Sequence, residues 1–447
     1  VDAQARADWP MAVATEPLPA SFYSLLPLGM ALNWCVGIAA ASTVLQTLHL
    51  ARHMPGEVLF MPLLLRHMSP DVLSGGIFMV LSVVSSFAGV FASMLSDRFG
   101  TKASCKVAIA VQAVSQLFVA WPQTYLFGLV VSMGANGASQ PIFMALFTSQ
   151  FEDEELTQKL TTYMYAAMNF AFLLATVAAG VQPFWLGYLE CAVLLVVSLG
   201  LLIVRASGLR DSGESAGESA EERVAQPGTV HADGRMYGYA GLCSFTLLFW
   251  ILFMQFLGGP MMIFAKERLS PIGGFQVPAQ WFLALNGLVD LVVGIPLARM
   301  YEHVLTVRFH LKFRICFLAM ALAYGVLAIA VRAAHAAGTS PLAMAFAVVF
   351  ISLGELHYNP VMLAAISNEM PANKVGLCTG IHFMLAGVGQ CIAGVGVPAY
   401  TSMGPEVFFL TLCGLAAAGA VGLQLVSPCL VQCFEDSKGE RTPLQPI

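Results

Sequence analysis

The sequence predicts an all-α integral membrane protein of about twelve transmembrane helices, arranged as two six-helix bundles. Three observations predict it. First, 58% of the 447 residues are hydrophobic and only 11% are charged, too few to cover a soluble surface. Second, apolar runs recur along the chain, most of them near the ~20 residues that cross a hydrocarbon core. Third, lysine and arginine alternate between successive loops in a way that an even number of spans produces.

The runs fall in two sets, broken by charged or Pro/Gly-rich stretches. The first set lies near 21–48, 72–95, 107–121, 124–149, 162–181 and 184–204, the second near 240–265, 277–298, 314–332, 341–366, 377–400 and 407–431. The run 107–121 is short and is expected to borrow residues from its flanks. The breaks at 121–124 and 182–183 are so short that the flanking helices should be antiparallel neighbours. Between the sets lies 205–238, where Asp211, Glu214, Glu218, Glu221 and Glu222 alternate with serine, glycine and alanine. That composition cannot build a core and reads as a flexible, solvated linker. The plan is a cytoplasmic tail over 1–20, a first bundle over 21–204, a cytoplasmic linker over 205–238, a second bundle over 239–431 and a cytoplasmic tail over 432–447.

Residues 1–20 hold no basic stretch before an apolar core, so the first run reads as a span rather than a cleaved signal. With the N-terminus in the cytoplasm, 16 of the 21 lysines and arginines fall on the cytoplasmic side. Arg52, Arg66, Lys266, Arg268 and Arg332 fall on the other. The bias predicts both termini inside a cell membrane. Nucleic acid is not an expected partner, because no basic patch exists outside short loops. The ten cysteines lie mostly in apolar runs without a CxxC pair and read as small buried hydrophobes. No nucleophile motif, metal-ligand cluster or phosphate-binding glycine loop stands out, so no enzyme, metal or cofactor is expected.

After the second run comes Ser93, then Asp97, Arg98, Gly100 and Lys102. This resembles the loop between the second and third helices of the major facilitator superfamily, G-x-x-x-D-R-x-G-x-K/R, with Ser93 in place of its first glycine. Asp97 could pair across the two halves, Gly100 permits a tight turn, and Arg98 and Lys102 hold the loop inside. The four are expected to form a gating or structural loop.

Four further stretches resemble the proton-dependent oligopeptide transporters, one branch of that superfamily. Gly134 to Pro141, with Gln140, then Tyr165 and Asn169, are similar to its G-x-G-x-x-K-P and Y-x-x-x-N stretches. Phe249, Trp250 and Gln255, then Phe264, are similar to its F-W-x-x-x-x-Q seventh helix. Asn286 and Pro296, with Lys312 and Phe313 beyond, hold similar places. Gly354, Glu355, Leu356 and Pro360 are similar to its G-E-L-x-x-S-P tenth helix. The resemblance runs over roughly 90–400. It implies two rocking bundles and proton-coupled uptake of a small polar solute such as a di- or tripeptide.

The departures from that pattern carry information. The E-x-x-E-R of the first helix is missing, the stretch here reading Met30 to Trp34 with Asn33. Gln140 stands for a lysine, His382 for a tryptophan, and Lys266 for an acid. The scaffold is kept while several groups that hold peptide termini or move protons are gone.

Ionisable groups within spans cost ~2.5–3.5 kcal/mol near the midplane and usually face a cavity or a partner. Glu355 and Asp290 are the candidate proton carriers, together with His382, since an imidazole titrates near neutrality. Asp290 follows Asn286 by one turn on the same face and is not supplied by the resemblance. Asn169, Gln255, Asn286, Glu355, Gln140, His382 and Trp250 are the candidate solute contacts. His357 lies on a different face from Glu355, and Glu190 is a candidate vestibule group. Each amide could instead tie helices together. The expected partners are a small solute, a proton and the lipid bilayer, with the chain a monomer. The rival readings keep the fold for an amino acid, a nucleoside-like compound or an anion by uniport, or make it a receptor that does not transport.

Overall fold

The structure, a computed structural model, describes residues 18–53, 69–151, 154–210, 232–257, 259–303, 309–334, 338–370 and 375–435. The first half comprises α1 (Ala20–His53), α2 (Pro70–Phe99), α3 (Thr101–Val119), α4 (Tyr125–Thr148), α5 (Glu154–Val181) and α6 (Phe184–Arg205). The second comprises α7 (Ala232–Leu257), α8 (Pro260–Arg268), α9 (Gln280–His303), α10 (Phe309–Ala334), α11 (Pro341–Glu369), α12 (Val375–Ala393), α13 (Gly396–Met403) and α14 (Pro405–Glu435). Helices α7 and α8 belong to one apolar stretch, α8 starting after Gly259, and α12 and α13 are one span broken at 394–395. The apolar runs 240–265 and 377–400 read as continuous, and within each a new helix begins, at Pro260 and at Gly396. Pro260 opens α8, where a missing N–H costs no hydrogen bond. The acidic run 211–222, the tail before residue 18 and the tail after 435 lie outside the described residues. Helix α7 starts at Ala232, inside the stretch expected as linker.

Local chemistry sets the boundaries. Ser69 caps α2, its Oγ accepting from the Val72 N–H at 3.4 Å, and Pro70 takes the first helical turn. Gly100 both ends α2 and starts α3. Its φ of 84° is one that a side chain disfavours, and its N–H donates to the Ser96 carbonyl at 2.9 Å. Helix α3 extends back to Thr101, so the short run does borrow its N-terminal flank.

Nine helical stretches among the described residues are long and apolar enough to cross a membrane. Helices α3 and α4 fall short of that composition, for a visible reason. Their polar residues face one another. Gln112 Nε2 donates to Asn136 Oδ1 at 3.2 Å, and Ser139 Oγ donates to Gln112 Oε1 at 2.8 Å. Gln116 Nε2 donates to Ser132 Oγ at 2.7 Å. Gln112 and Ser139 are fully buried, so this ladder satisfies amides that lipid would leave bare.

Two hydrophobic cores form. One, in the first half, gathers Tyr125, Phe143, Phe147 and Tyr188. The other gathers Phe249, Phe253, Phe313, Phe317 and Tyr324, and also takes in Val44, Leu45 and Leu48 of α1 and Phe78 of α2. The halves are therefore joined through the last turns of α1 and the first turns of α2. The salt bridge from Arg52 Nη1 to Glu267 Oε1, 2.8 Å, links the same end of α1 to α8.

Two seams complete the joint. Helix α2 lies against α12 and α13, with Gly75 and Gly394 backbone to backbone, so that a Cβ on either would collide with the other's carbonyl oxygen. Helix α5 lies against α9, where Trp281 Nε1 donates to the Val177 carbonyl at 3.2 Å. Substituting Gly75→Ala is expected to lower the unfolding temperature in detergent, an overpacking cost of about 1–3 kcal/mol. Gly76, with nothing within 4 Å of the same position, is the control, and Gly76→Ala should leave that temperature unchanged or raise it.

Candidate functional site

Helices α9 and α11 bring three of the expected residues together. Asn286 Nδ2 donates to Glu355 Oε2 at 3.1 Å and to Ser352 Oγ at 2.9 Å. Ser352 Oγ in turn donates to the Val348 carbonyl at 2.9 Å, one turn back on α11. Asn286 is buried, whereas Glu355 keeps part of its surface accessible. The amide is thus the clamp that holds the acid rather than the group facing open space.

Asp290 lies one turn beyond Asn286 on α9. Its Oδ1 is buried and has no hydrogen-bond partner among the described residues. Asp290 follows by one turn on α9 the amide that holds Glu355, so both acids belong to the α9–α11 contact. Gly294 of α9 has Leu356 within van der Waals reach, which shows how closely α9 and α11 run here.

Asn169 sits on α5, half-buried. The α5–α9 seam is antiparallel, with Gly180 beside Trp281 and Leu173 beside Gly287. Continuing that register sets Asn169 level with Asp290, across the boundary between the halves.

The other expected contacts lie elsewhere. Gln255 is buried against the break between α12 and α13, its Oε1 where a Cβ on Gly396 would lie, and its Nε2 donates to the Ile251 carbonyl at 3.1 Å. It packs two broken spans together and joins neither acid. His382 has 0% exposure and stands in an aromatic stack. Its ring lies 6.3 Å from Trp250 and 6.4 Å from Tyr358, and neither nitrogen has a partner among the described residues. Tyr358 in turn stacks on Phe249 with centroids 3.8 Å apart. Trp250 keeps partial exposure, with its Nε1 buried and unpartnered among the described residues. Gln140 is half-buried just before Pro141 of α4.

His357 does lie on another face of α11. Its Nδ1 is 2.6 Å from the Leu353 carbonyl, which can only accept, so Nδ1 carries the proton and donates. In the neutral ring Nε2 then accepts from Tyr301 Oη at 2.6 Å. Lys312 Nζ sits 4.2 Å above the Tyr301 ring, so this network joins the end of α9 and the start of α10 to the interior of α11. Glu190 Oε2 accepts from Gln182 Nε2 at 3.0 Å, closing the α5–α6 turn.

In the loop after α2, Arg98 is exposed and lies 5.7 Å over the Phe99 ring, and Lys102 is half-buried in the first turn of α3. Asp97 is helical, and its side chain lies outside the described set. Among the described residues no three His, Cys, Asp or Glu side chains group as metal ligands. A cleft of about 320 Å³ lies against Glu267, Arg268, Ser270 and Thr339, at the end of the molecule where α8 and α10 finish and away from the two acids.

The α3–α4 ladder and the Arg52–Glu267 bridge went unnoticed in the sequence. The ladder had a signal: Gln112 and Gln116 recur one turn apart, as do Ser132 and Asn136 in the following run. The bridge had none, since its partners are 215 residues apart.

The profile of the Major Facilitator Superfamily matches residues 22–394. The peptide transporter YePEPT of Yersinia enterocolitica subsp. palearctica serotype O:3 (strain YE-P4) is 26% identical over 180 residues. That alignment covers 38% of this chain and 35% of YePEPT, about a third of its length. A crystal structure of a peptide transporter POT mutant in complex with sulfate superposes with a TM-score of 0.78 at 16% identity, over 93% of this chain and 96% of that one. A POT family transporter in complex with 5-aminolevulinic acid superposes at 0.77 with 13% identity, over 92% and 97%. The fold is shared at both levels of likeness.

Asn286→Leu should leave Ser352 and Glu355 without their shared donor. A loss of about 1–3 kcal/mol is expected, read as a lower unfolding temperature in detergent. Glu190→Gln keeps an acceptor for Gln182 and should melt close to the parent.

Proposed function

The chain belongs to the major facilitator superfamily, and on that premise we propose that it is a secondary transporter, moving a small polar solute across a membrane by alternating access in exchange with or alongside protons. The observation that carries this reading is the acid pair on α9 and α11. Intramembrane acids are costly to keep, and a proton route is one of the few roles that repays them. Between Tyr23 and His49 the first span has no Asp, Glu, Lys, Arg or His, so coupling falls to the second half.

We assign the α1–α2 end to the outside, both termini to the cytoplasm of a cell membrane, and the working unit to a monomer. The loop charge bias supports this orientation. The seams near Gly75–Gly394 and Arg52–Glu267 would then close the outer side. Opening outward would part them while the solute site, between the halves near Asp290, Glu355, Asn169 and Trp250, exchanges its access. The likeness to YePEPT and to the POT structures favours a peptide-like solute. The missing first-span acid and arginine, and Gln140, weaken the hold on a peptide carboxylate. Uniport of a related solute is the second reading, favoured by that same uncharged first span.

Two outcomes are expected in proteoliposomes. Dialanine should accumulate poorly, because losing the charged partner of a buried charge costs about 3–5 kcal/mol. For whichever solute a thermal-shift screen of peptides, amino acids and nucleosides identifies, Glu355→Gln and Asp290→Asn should lose pH-driven accumulation while keeping counterflow. Full accumulation by both variants would move the proton to another group, and a parent protein that equilibrates its solute without accumulating it on a pH gradient would favour uniport.

A further inference from the structure

We propose that the start of α10, beside the end of α9, holds the phosphate of an anionic phospholipid through Arg314 and Lys312. The proposal goes beyond the transporter reading. It requires only a chain that spans a membrane, and it holds whatever the solute is.

Arg314 stands on a face that meets hydrocarbon. Helix α10 turns Leu311, Leu318, Leu322 and Ile329 outward, each between 39% and 70% exposed. These positions recur at helical spacing and mark one apolar stripe. Arg314 comes three residues after Leu311 and four before Leu318, so it shares that stripe. The apolar span runs over His310–Ala334, which sets Arg314 one turn inside its start. A guanidinium on a lipid-facing stripe is costly unless it reaches back to the headgroup layer. Arg314 is half-buried, and its Nε is covered without a partner among the described residues.

The surroundings add charge of the same sign. Lys312 is half-buried, with its Nζ 4.2 Å over the Tyr301 ring. A ring face attracts the ammonium but leaves its N–H groups free to donate elsewhere. Both cations stand in the first two turns of α10, whose first turn has no acid. The N-terminal end of a helix is itself positive, so cations there lack the support they would find at the other end. The ion pairs found among the described residues, Arg52–Glu267 and Arg332–Glu406, lie at the opposite end of the molecule. An anion from outside the chain answers this crowding. At this depth the headgroup layer supplies one, and a phosphate matches the fork of a guanidinium. The site is also wired inward. Tyr301, under Lys312, donates through Oη to His357 Nε2 of α11 at 2.6 Å. A bound headgroup would thus brace α9, α10 and α11 together.

The test uses the purified full chain in neutral detergent. Phosphatidylglycerol, phosphatidylcholine with the same acyl chains, and inorganic phosphate are added in turn while thermal unfolding is followed. Phosphatidylglycerol should raise the unfolding temperature most. Arg314→Met and Lys312→Met keep an apolar stem and lose the charge. Each should need about fivefold more phosphatidylglycerol for the same rise. Arg205, exposed at the same end of the first half, is the control, and Arg205→Met should respond as the parent does. Without lipid, Arg314→Met should melt no lower than the parent, because an unpaired charge has gone. A lower melting point would mean that an acid of the chain, such as Glu302 in the last turn of α9, already holds Arg314, and would overturn the site. An equal rise with phosphatidylcholine would overturn the need for an anionic lipid. An equal rise with inorganic phosphate would overturn lipid as the occupant. An equal loss in Arg205→Met would overturn the location, and no rise with phosphatidylglycerol would overturn the whole proposal. None of these outcomes bears on the transporter reading, which the proteoliposome assay tests separately.

Discussion

Hydrocarbon offers a polar side chain no hydrogen bond, and the arrangement of this chain follows from that constraint. An amide carried into the membrane gains by being answered from another part of the protein. Gln112 and Gln116 are answered by α4, Asn286 by Ser352 and Glu355, and His357 by Tyr301 and its own backbone. These pairings decide which helices stand next to one another as much as the apolar cores do. They also isolate what is unanswered. Asp290, His382 and Trp250 each keep a buried polar atom without a partner among the described residues, as do Trp34 and Gln46 of α1 and Gln255 of α7.

The way the halves meet differs from the way each half is built. Inside a half, large aromatic side chains interlock, as with Phe143 on Phe147 or Phe249 on Tyr358. Between the halves, the α2 seam is backbone against backbone at Gly75 and Gly394, and the α5 seam sets Gly180 under Trp281. Interdigitated rings resist separation, whereas flat glycine surfaces can slide or part without any rotamer having to change. The Arg52–Glu267 bridge is part-exposed, and pairs of that kind are worth at most about 1 kcal/mol. Opening the joint must also part the apolar contacts of Val44, Leu45, Leu48 and Phe78 with the second half.

Much of the fold was legible because lipid imposes so regular a pattern. Run length located the spans, and Gly100 announced the one-residue turn through its neighbours Arg98 and Lys102. What was not legible was the breaking of two spans. The runs 240–265 and 377–400 stay apolar through the break, so hydropathy carries no trace of it. At the site, the spacing of Asn286 and Asp290 gave their common face correctly, and the separate face of His357 followed from the same arithmetic. Gln255 and His382 stand as expected solute contacts through the resemblance and through their polar types. Polarity does not say whether a side chain meets a cavity or a neighbouring helix. Only the packing of Gln255 on Gly396, and of His382 between Trp250 and Tyr358, supplied that.

The α3–α4 ladder has a practical consequence for anyone tracing this chain through a membrane. Its amides are hidden from lipid only because the two helices travel together, so each helix alone is a poor membrane segment. Such a hairpin would have to enter the bilayer as a unit, the second helix arriving before the first is stable. A reporter fused between them, near 121–124, would catch α3 without its partner and could register it on the wrong side. Fusions placed after α4 would report the finished hairpin.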